Sequence, residues 1–329
     1  MFRTNEAKEA KREAKRRGAL KWVRFRIEYA LVRLVATVLL ALSFRAACRL
    51  AGLFGRLAAR VDRRHRRVGI ENLDRVYGDR LSRAEKVDLL TRSQEGLALG
   101  LVELLWASRI LRPETIDRHF ESEEHERHGG VFRHPRGAVL VSGHLGNFYM
   151  ASPFLSARGV RFVGVARELD NPLLEAWVDR LRGSERASYV HKRGAMLDML
   201  GALGRPGVVL GVLIDQNAGS SGKFVDFLGS PASTFSAPAL VAKKKKVPIL
   251  VGAVIRVAPM LFRFEVSDVA TEEEVASIGT DALVARLSAA FGELVRRHPD
   301  QWMWTHRRWK SRPPSEAPCA TVIQEEAAR

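Results

Sequence analysis

The sequence predicts an α/β protein, a mixed sheet flanked by helices, preceded by a helical N-terminal segment that associates with membranes. Three observations carry this expectation. From Ala138 onward, short apolar runs of strand length alternate with stretches of helical period. The 329 residues are 46% hydrophobic, enough to bury one large core. Ahead of that alternation, residues 1–27 hold ten Lys and Arg residues and run into an apolar stretch over 29–59.

That stretch is not a clean span. Arg33, Arg45, Arg49 and Arg56 interrupt it, and its longest uncharged run, 34–44, is eleven residues, short of the ~20 a spanning helix needs. An interfacial helix, or a short marginal anchor, is expected. The basic flank predicts an N-terminus that stays cytoplasmic and rests on anionic head groups. A secretory signal is not expected: the basic region is too long, and Arg45 before Ala46-Ala47-Cys48 spoils a lipobox.

A basic knot, Arg63 to Arg67, follows. Helical patterns cover 82–93 and 95–110, and Leu111-Arg112-Pro113 is a stop. The polar run 116–137 holds His119, His125, His128 and His134 without the cysteine or carboxylate spacing of a metal site, so a solvated loop or an edge hairpin is expected. Strands are then predicted at 138–142, 161–166, 208–214, 247–257 and 261–266. Helices are predicted at 147–157, 172–182, 195–203, 234–246 and 281–298. The tail from Ser311, rich in proline, reads as disordered. The organisation expected is a basic, membrane-associating segment over 1–59, one domain over 60–312 and a disordered tail over 313–329.

A net charge of +17 favours phosphate-bearing or acidic partners: nucleic acid, an anionic membrane, or an acidic carrier protein. Zinc-finger spacing, an aromatic RNA-binding strand and a helix-turn-helix are all lacking, so nucleic acid is not expected. Cys48 and Cys319 lie far apart in dissimilar surroundings, which suggests neither a disulfide nor a metal site and fits a reducing compartment. No Gly-x-Gly-x-x-Gly follows a strand. The stretch 218–223 lacks the order of a P-loop and reads as a mobile loop.

His144-Leu145-Gly146-Asn147-Phe148-Tyr149 is the most informative segment. It follows strand 138–142 and opens a helix-like run, a turn that exposes side chains at the end of a sheet. Arg167-Glu168-Leu169-Asp170-Asn171-Pro172, Asp215-Gln216-Asn217, Val225-Asp226-Phe227-Leu228-Gly229 with Ala232 and Thr234, and the stretch from Pro299 to Lys310 follow in order. Together these segments resemble the motifs of the bacterial lipid A biosynthesis acyltransferases, a branch of the lysophospholipid acyltransferase superfamily, over about residues 60–312. The resemblance implies a glycerolipid-acyltransferase-like sheet. It also implies transfer of a fatty acyl chain from acyl carrier protein or acyl-coenzyme A to a hydroxyl of a lipid A precursor or related glycolipid, at the cytoplasmic face of a bacterial inner membrane. No cofactor or metal is implied. A lysophospholipid or glycosylated glycerolipid acceptor, and a non-catalytic lipid-binding protein on the same scaffold, are the alternative readings.

The resemblance implies His144 as general base, with an acid five residues later to orient the ring; that place is held by Tyr149. Three explanations stay open: Tyr149 orients the ring alone, Glu168 or Asp170 supplies the charge, or the activity is lost or changed. Asn147, Arg167, Asp170, Asp215, Gln216, Phe227, Gly229 and Arg307 are the implied substrate-binding residues. Phe227, Gly229 and Trp302 are expected to shape an apolar slot, and Arg167 to clamp a phosphate or carboxylate. Arg307, Arg308 and Lys310 are expected to meet phosphate groups or membrane. An imidazole of ordinary pKa, about 6.5, accepts a proton at neutral pH.

Overall fold

The structure, a computed structural model, describes residues 3–112, 114–121, 123–182, 186–191 and 195–313. The tail expected to be disordered lies almost wholly outside the described residues.

Helices come first. The N-terminal α1 (Arg3–Ala41) is followed by α2 (Phe44–Val61), whose first turn is capped by the Ser43 hydroxyl. Then comes α3 (Arg63–Tyr77), capped by Asp62. The two helices expected over 82–93 and 95–110 are one, α4 (Arg83–Ile110): Ser82 and Glu85 form a capping box at its start, and no proline lies between them and Pro113 to stop it. None of these helices is long and apolar enough to cross a membrane, nor is any other among the described residues.

The run over 116–137 is more ordered than the expected loop or hairpin. It contains a two-residue strand, β1 (Phe120–Glu121), and α5 (Glu123–Phe132). Two of its histidines serve the scaffold: His119 bonds the Met260 carbonyl, and His134 lies between the Gly137 carbonyl and Glu272. The expected elements then follow in order, with others added to them. They run β2 (Ala138–Ser142), α6 (Ala151–Ala157), β3 (Arg161–Ala166), α7 (Pro172–Arg182), β4 (Ala187–His191), α8 (Ala195–Ala202) and β5 (Val208–Leu213). A hairpin of β6 (Lys223–Phe227) and β7 (Ser230–Thr234) precedes α9 (Ala237–Lys245), β8 (Ile249–Ala258) and β9 (Leu261–Ala270). Helices α10 (Glu272–Ser277) and α11 (Thr280–Arg297) close the chain. The additions are β4, the β6–β7 hairpin and α10.

Seven strands form one sheet in the order β1-β9-β8-β2-β5-β3-β4, parallel except for the β8–β9 hairpin. Side chains of a strand alternate between faces, and the core divides accordingly. Val139 and Val141 join one apolar cluster with α3, α9, α11 and three tryptophans, while Leu140 joins the other with α6 and the Phe262–Phe264 pair. The strands that carry the motifs, β2 and β5, are neighbours in register, Ser142 beside Leu213, so their carboxyl ends deliver residues 143–147 and 214–217 to one place. The N-terminal helices dock on this body. Asn171 Nδ2 donates to the Phe25 carbonyl at 2.8 Å, and Ala47, Ala51, Gly55 and Ala59 bury the inner face of α2, where a Cβ on Gly55 would stand 2.6 Å from the Glu95 backbone.

Candidate active site

His144 leaves β2 through two glycines that no other residue could replace without movement. A Cβ on Gly143 would lie 2.7 Å from Cγ of Asp215 and 2.2 Å from the Phe291 ring. Gly146 adopts φ +62°, and a Cβ there would meet the Val254 carbonyl at 2.0 Å. The first gives Asp215 room beside the turn. The second lets the turn lie flat on β8, where Asn147 N–H donates to Val254 O at 2.8 Å.

The carboxylate beside the imidazole is Asp215. Its Oδ1 lies 2.9 Å from His144 Nδ1, and its Oδ2 accepts the His144 backbone N–H at 2.7 Å and the Trp302 indole N–H at 2.9 Å. The Asp215 side chain is 1% exposed and that of His144 17%. Burial on its own would raise the Asp215 carboxyl, but the attraction and hydrogen bonds of His144 outweigh it and hold the group below the usual carboxylate range. Burial likewise works to lower His144, and the Asp215 charge overcomes it, leaving the imidazole raised. An ionised carboxylate only accepts, so Nδ1 carries the proton and Nε2 keeps the lone pair. A second histidine, His306, is pushed down by burial and accepts the Asn217 N–H at Nε2, which fixes the loop after Asp215.

His144 and Gln216 line a cavity of about 550 Å³, within the usual range for a ligand site. Its walls are mostly apolar: Leu140 and Phe162 on the sheet, Phe148 on the turn, Met199 on α8 and Phe264 on β9. The Gln216 amide nitrogen stands 3.5 Å from His144 Nε2. Tyr149 and Arg167 also line the space.

The other expected residues are distributed differently. Tyr149 turns its ring onto Phe148, centroids 4.1 Å apart, and under the Arg182 guanidinium; no hydrogen bond joins it to His144 among the described residues. Glu168 and Asp170, the other carboxylates considered for the charge, are both exposed, and Asp170 lies 3.9 Å from Arg167. Asn147 is 1% exposed and donates to Glu103 Oε2 at 2.8 Å, tying the turn to α4 rather than reaching the cavity. Phe227 and Trp302 pack in the core with Phe291 and Trp309, outside the slot they were expected to shape. Gly229, at φ +87°, makes the β6–β7 turn. Arg307 is exposed, whereas Arg308 is buried and donates to the Gln216 and Ser233 carbonyls and the Thr234 hydroxyl, so it braces the Gln216 loop and meets neither phosphate nor membrane.

The fold and site define an α/β protein with a buried Asp–His pair at the wall of an apolar cavity, at the carboxyl ends of parallel strands. The chain belongs to the bacterial lipid A biosynthesis acyltransferase family, whose sequence model matches residues 17–311. A comparison with curated proteins found no match. Two features of the site are not legible in the sequence. Asp215 is expected with the substrate-binding residues, yet it follows a strand that pairs with β2 and so stands beside His144. Arg182 and Tyr189, which also line the cavity, sit in no motif.

Proposed function

We propose that the protein is a membrane-associated acyltransferase that moves a fatty acyl chain from acyl carrier protein or acyl-coenzyme A to a hydroxyl of a lipid A precursor or related glycolipid. The observation that carries this reading is the His144–Asp215 pair opening Nε2 onto an apolar cavity. Acyl transfer needs a base for the alcohol, a donor for the oxyanion and an apolar slot for the chain.

In this reading His144 Nε2 takes the proton of the acceptor hydroxyl as that oxygen attacks the thioester carbonyl carbon. Asp215 steadies the imidazolium that forms, as a buried carboxylate does for a catalytic histidine. The Gln216 amide donates to the tetrahedral oxyanion. Collapse breaks the C–S bond, and the imidazolium returns its proton to the departing thiolate, so no proton is left over. A non-catalytic scaffold is favoured where no acid reaches the imidazole; in this reading Asp215 supplies the charge that Tyr149 lacks.

The reading places the protein at the cytoplasmic face of a bacterial inner membrane. Its support is the outer face of α2, where Leu53, Phe54, Leu57 and Val61 are exposed among Arg49, Arg56 and Arg60, and the exposed Trp22, Ile27, Leu31 and Val35 of α1. Arginines beside apolar side chains suit an anionic interface.

Turnover with an acyl thioester and a lipid A precursor tests the function. His144→Ala is expected to abolish transfer while the protein stays folded, and lipids from cells with and without the gene are expected to differ by one acyl chain in mass spectra. Equal turnover in wild type and His144→Ala, or identical lipid profiles, contradicts it.

A further inference from the structure

The cavity carries a positive charge that the transfer chemistry does not use. Arg167 and Arg182 both line it, and among the described residues no carboxylate does. Arg167 sits at the rim, 81% exposed. Arg182, the last residue of α7, is partly enclosed: its guanidinium carbon lies 5.5 Å from the Tyr149 ring centroid and 5.8 Å from that of Tyr189, and its Nε is buried without a hydrogen-bond partner. Other enclosed arginines have their terminal nitrogens occupied, Arg256 by Glu103 and Arg308 by carbonyls and a hydroxyl. No carboxylate of the described residues ion-pairs with Arg182; Asp179, one turn earlier on α7, acts with it on Tyr189 only at longer range.

A guanidinium held over aromatic rings keeps its in-plane N–H donors free, and those donors match a phosphate in bidentate fashion. Neither ring cancels the charge. Burial pushes the Tyr189 phenol up, so it stays un-ionised. A carboxylate at position 149, where the motif calls for an acid, would lie against this cation and neutralise it. Tyrosine holds the guanidinium and leaves its charge available.

We propose that Arg182, seated by Tyr149 and Tyr189, is a phosphate-binding residue of the cavity and takes a phosphate ester carried by a substrate of the transfer reaction. The identity of that substrate rests on the acyltransferase reading; the binding of phosphate does not.

The test uses the full chain in a non-ionic detergent and two probes alike except in the anion, dodecyl phosphate and dodecanol, titrated by calorimetry. Wild type is expected to prefer the phosphate by about tenfold or more, the worth of one charge-assisted contact. Arg182→Gln is expected to bring the ratio near one while dodecanol affinity holds within about twofold. Tyr149→Glu is expected to do the same, by neutralising the cation in place, and Arg182→Lys to keep part of the preference. If Arg182→Gln fails to fold, Tyr149→Glu and Arg182→Lys carry the comparison. Palmitoyl-coenzyme A and a diacylated glucosamine 1-phosphate separate a donor phosphate from an acceptor phosphate: the one whose affinity drops in Arg182→Gln is the source. A ratio unchanged in both Arg182→Gln and Tyr149→Glu, or an equal loss for phosphate and alcohol, overturns the proposal. Wild type that prefers phosphate but transfers no acyl chain overturns the acyltransferase reading and leaves this one standing.

Discussion

Each partner of the His144–Asp215 pair favours the charged form of the other, lowering the carboxyl and raising the imidazole. Only neutral imidazole accepts a proton, so kcat/KM is expected to fall as pH drops through the raised pKa of His144. Asp215→Asn removes the charge that raises it and leaves burial, which lowers it. The acid limb of a pH–rate profile over roughly pH 5 to 9 should therefore move to lower pH in that variant; an unmoved limb contradicts the pairing. Stability follows the same linkage. The depressed Asp215 contributes above its unfolded pKa, about 3.9, and that contribution is lost as pH falls through its folded value. The raised His144 contributes below about 6.5 and loses it as pH rises through its folded value. Chemical denaturation is thus expected to show Asp215→Asn destabilised by up to about 3 kcal/mol between those limits and by much less in stronger acid. Gln216→Leu is expected to lower kcat by about 10²–10³ with KM little changed, since the oxyanion exists only in the transition state. His144 is legible from its hexapeptide. Its partner is not, because Asp215 lies 71 residues away in sequence and only the pairing of β2 with β5 brings it to the imidazole.

At the level of elements, the sequence carries the apolar strands and the periodic helices and hides the strands with polar residues. Strands β2, β3, β5, β8 and β9 were legible as apolar runs. Strand β4 is five residues at the sheet edge, paired on one side only to β3, and its polar surroundings hid it. The β6–β7 turn uses Leu228 and Gly229, both at positive φ, and leucine is not a residue that signals such a turn. Helix α2 makes the sharpest element-level prediction. Its inner face is small residues and its outer face is apolar among arginines. Replacing Leu53, Phe54 and Leu57 by serine is expected to leave the fold intact, since all three are exposed. Binding to anionic vesicles should weaken by about 100-fold, with each side chain contributing about 1 kcal/mol on partial insertion. Unchanged co-sedimentation contradicts the docking face.

Across the whole molecule, the charge of +17 left a choice among nucleic acid, membrane and acidic carrier that composition alone does not make. On the membrane reading proposed above, the contact is made by arginines that stand beside exposed apolar side chains on the N-terminal helices. Salt screens the charges of these arginines but not the burial of the apolar side chains, so roughly 0.5 M salt is expected to release only part of the protein from anionic vesicles. Complete release contradicts apolar insertion.

The central claim is that Asp215, and not the residue at position 149, is the carboxylate partner of the catalytic base. The most direct measurement is the single-turnover rate of acyl transfer in wild type, Asp215→Asn and Tyr149→Phe, well below their unfolding midpoints and with saturating acyl thioester. Asp215→Asn is expected to fall by about 10²–10⁴, and Tyr149→Phe to stay within about threefold of wild type, since its hydroxyl does not touch His144. A wild-type rate in Asp215→Asn, with the large loss in Tyr149→Phe instead, would contradict the claim.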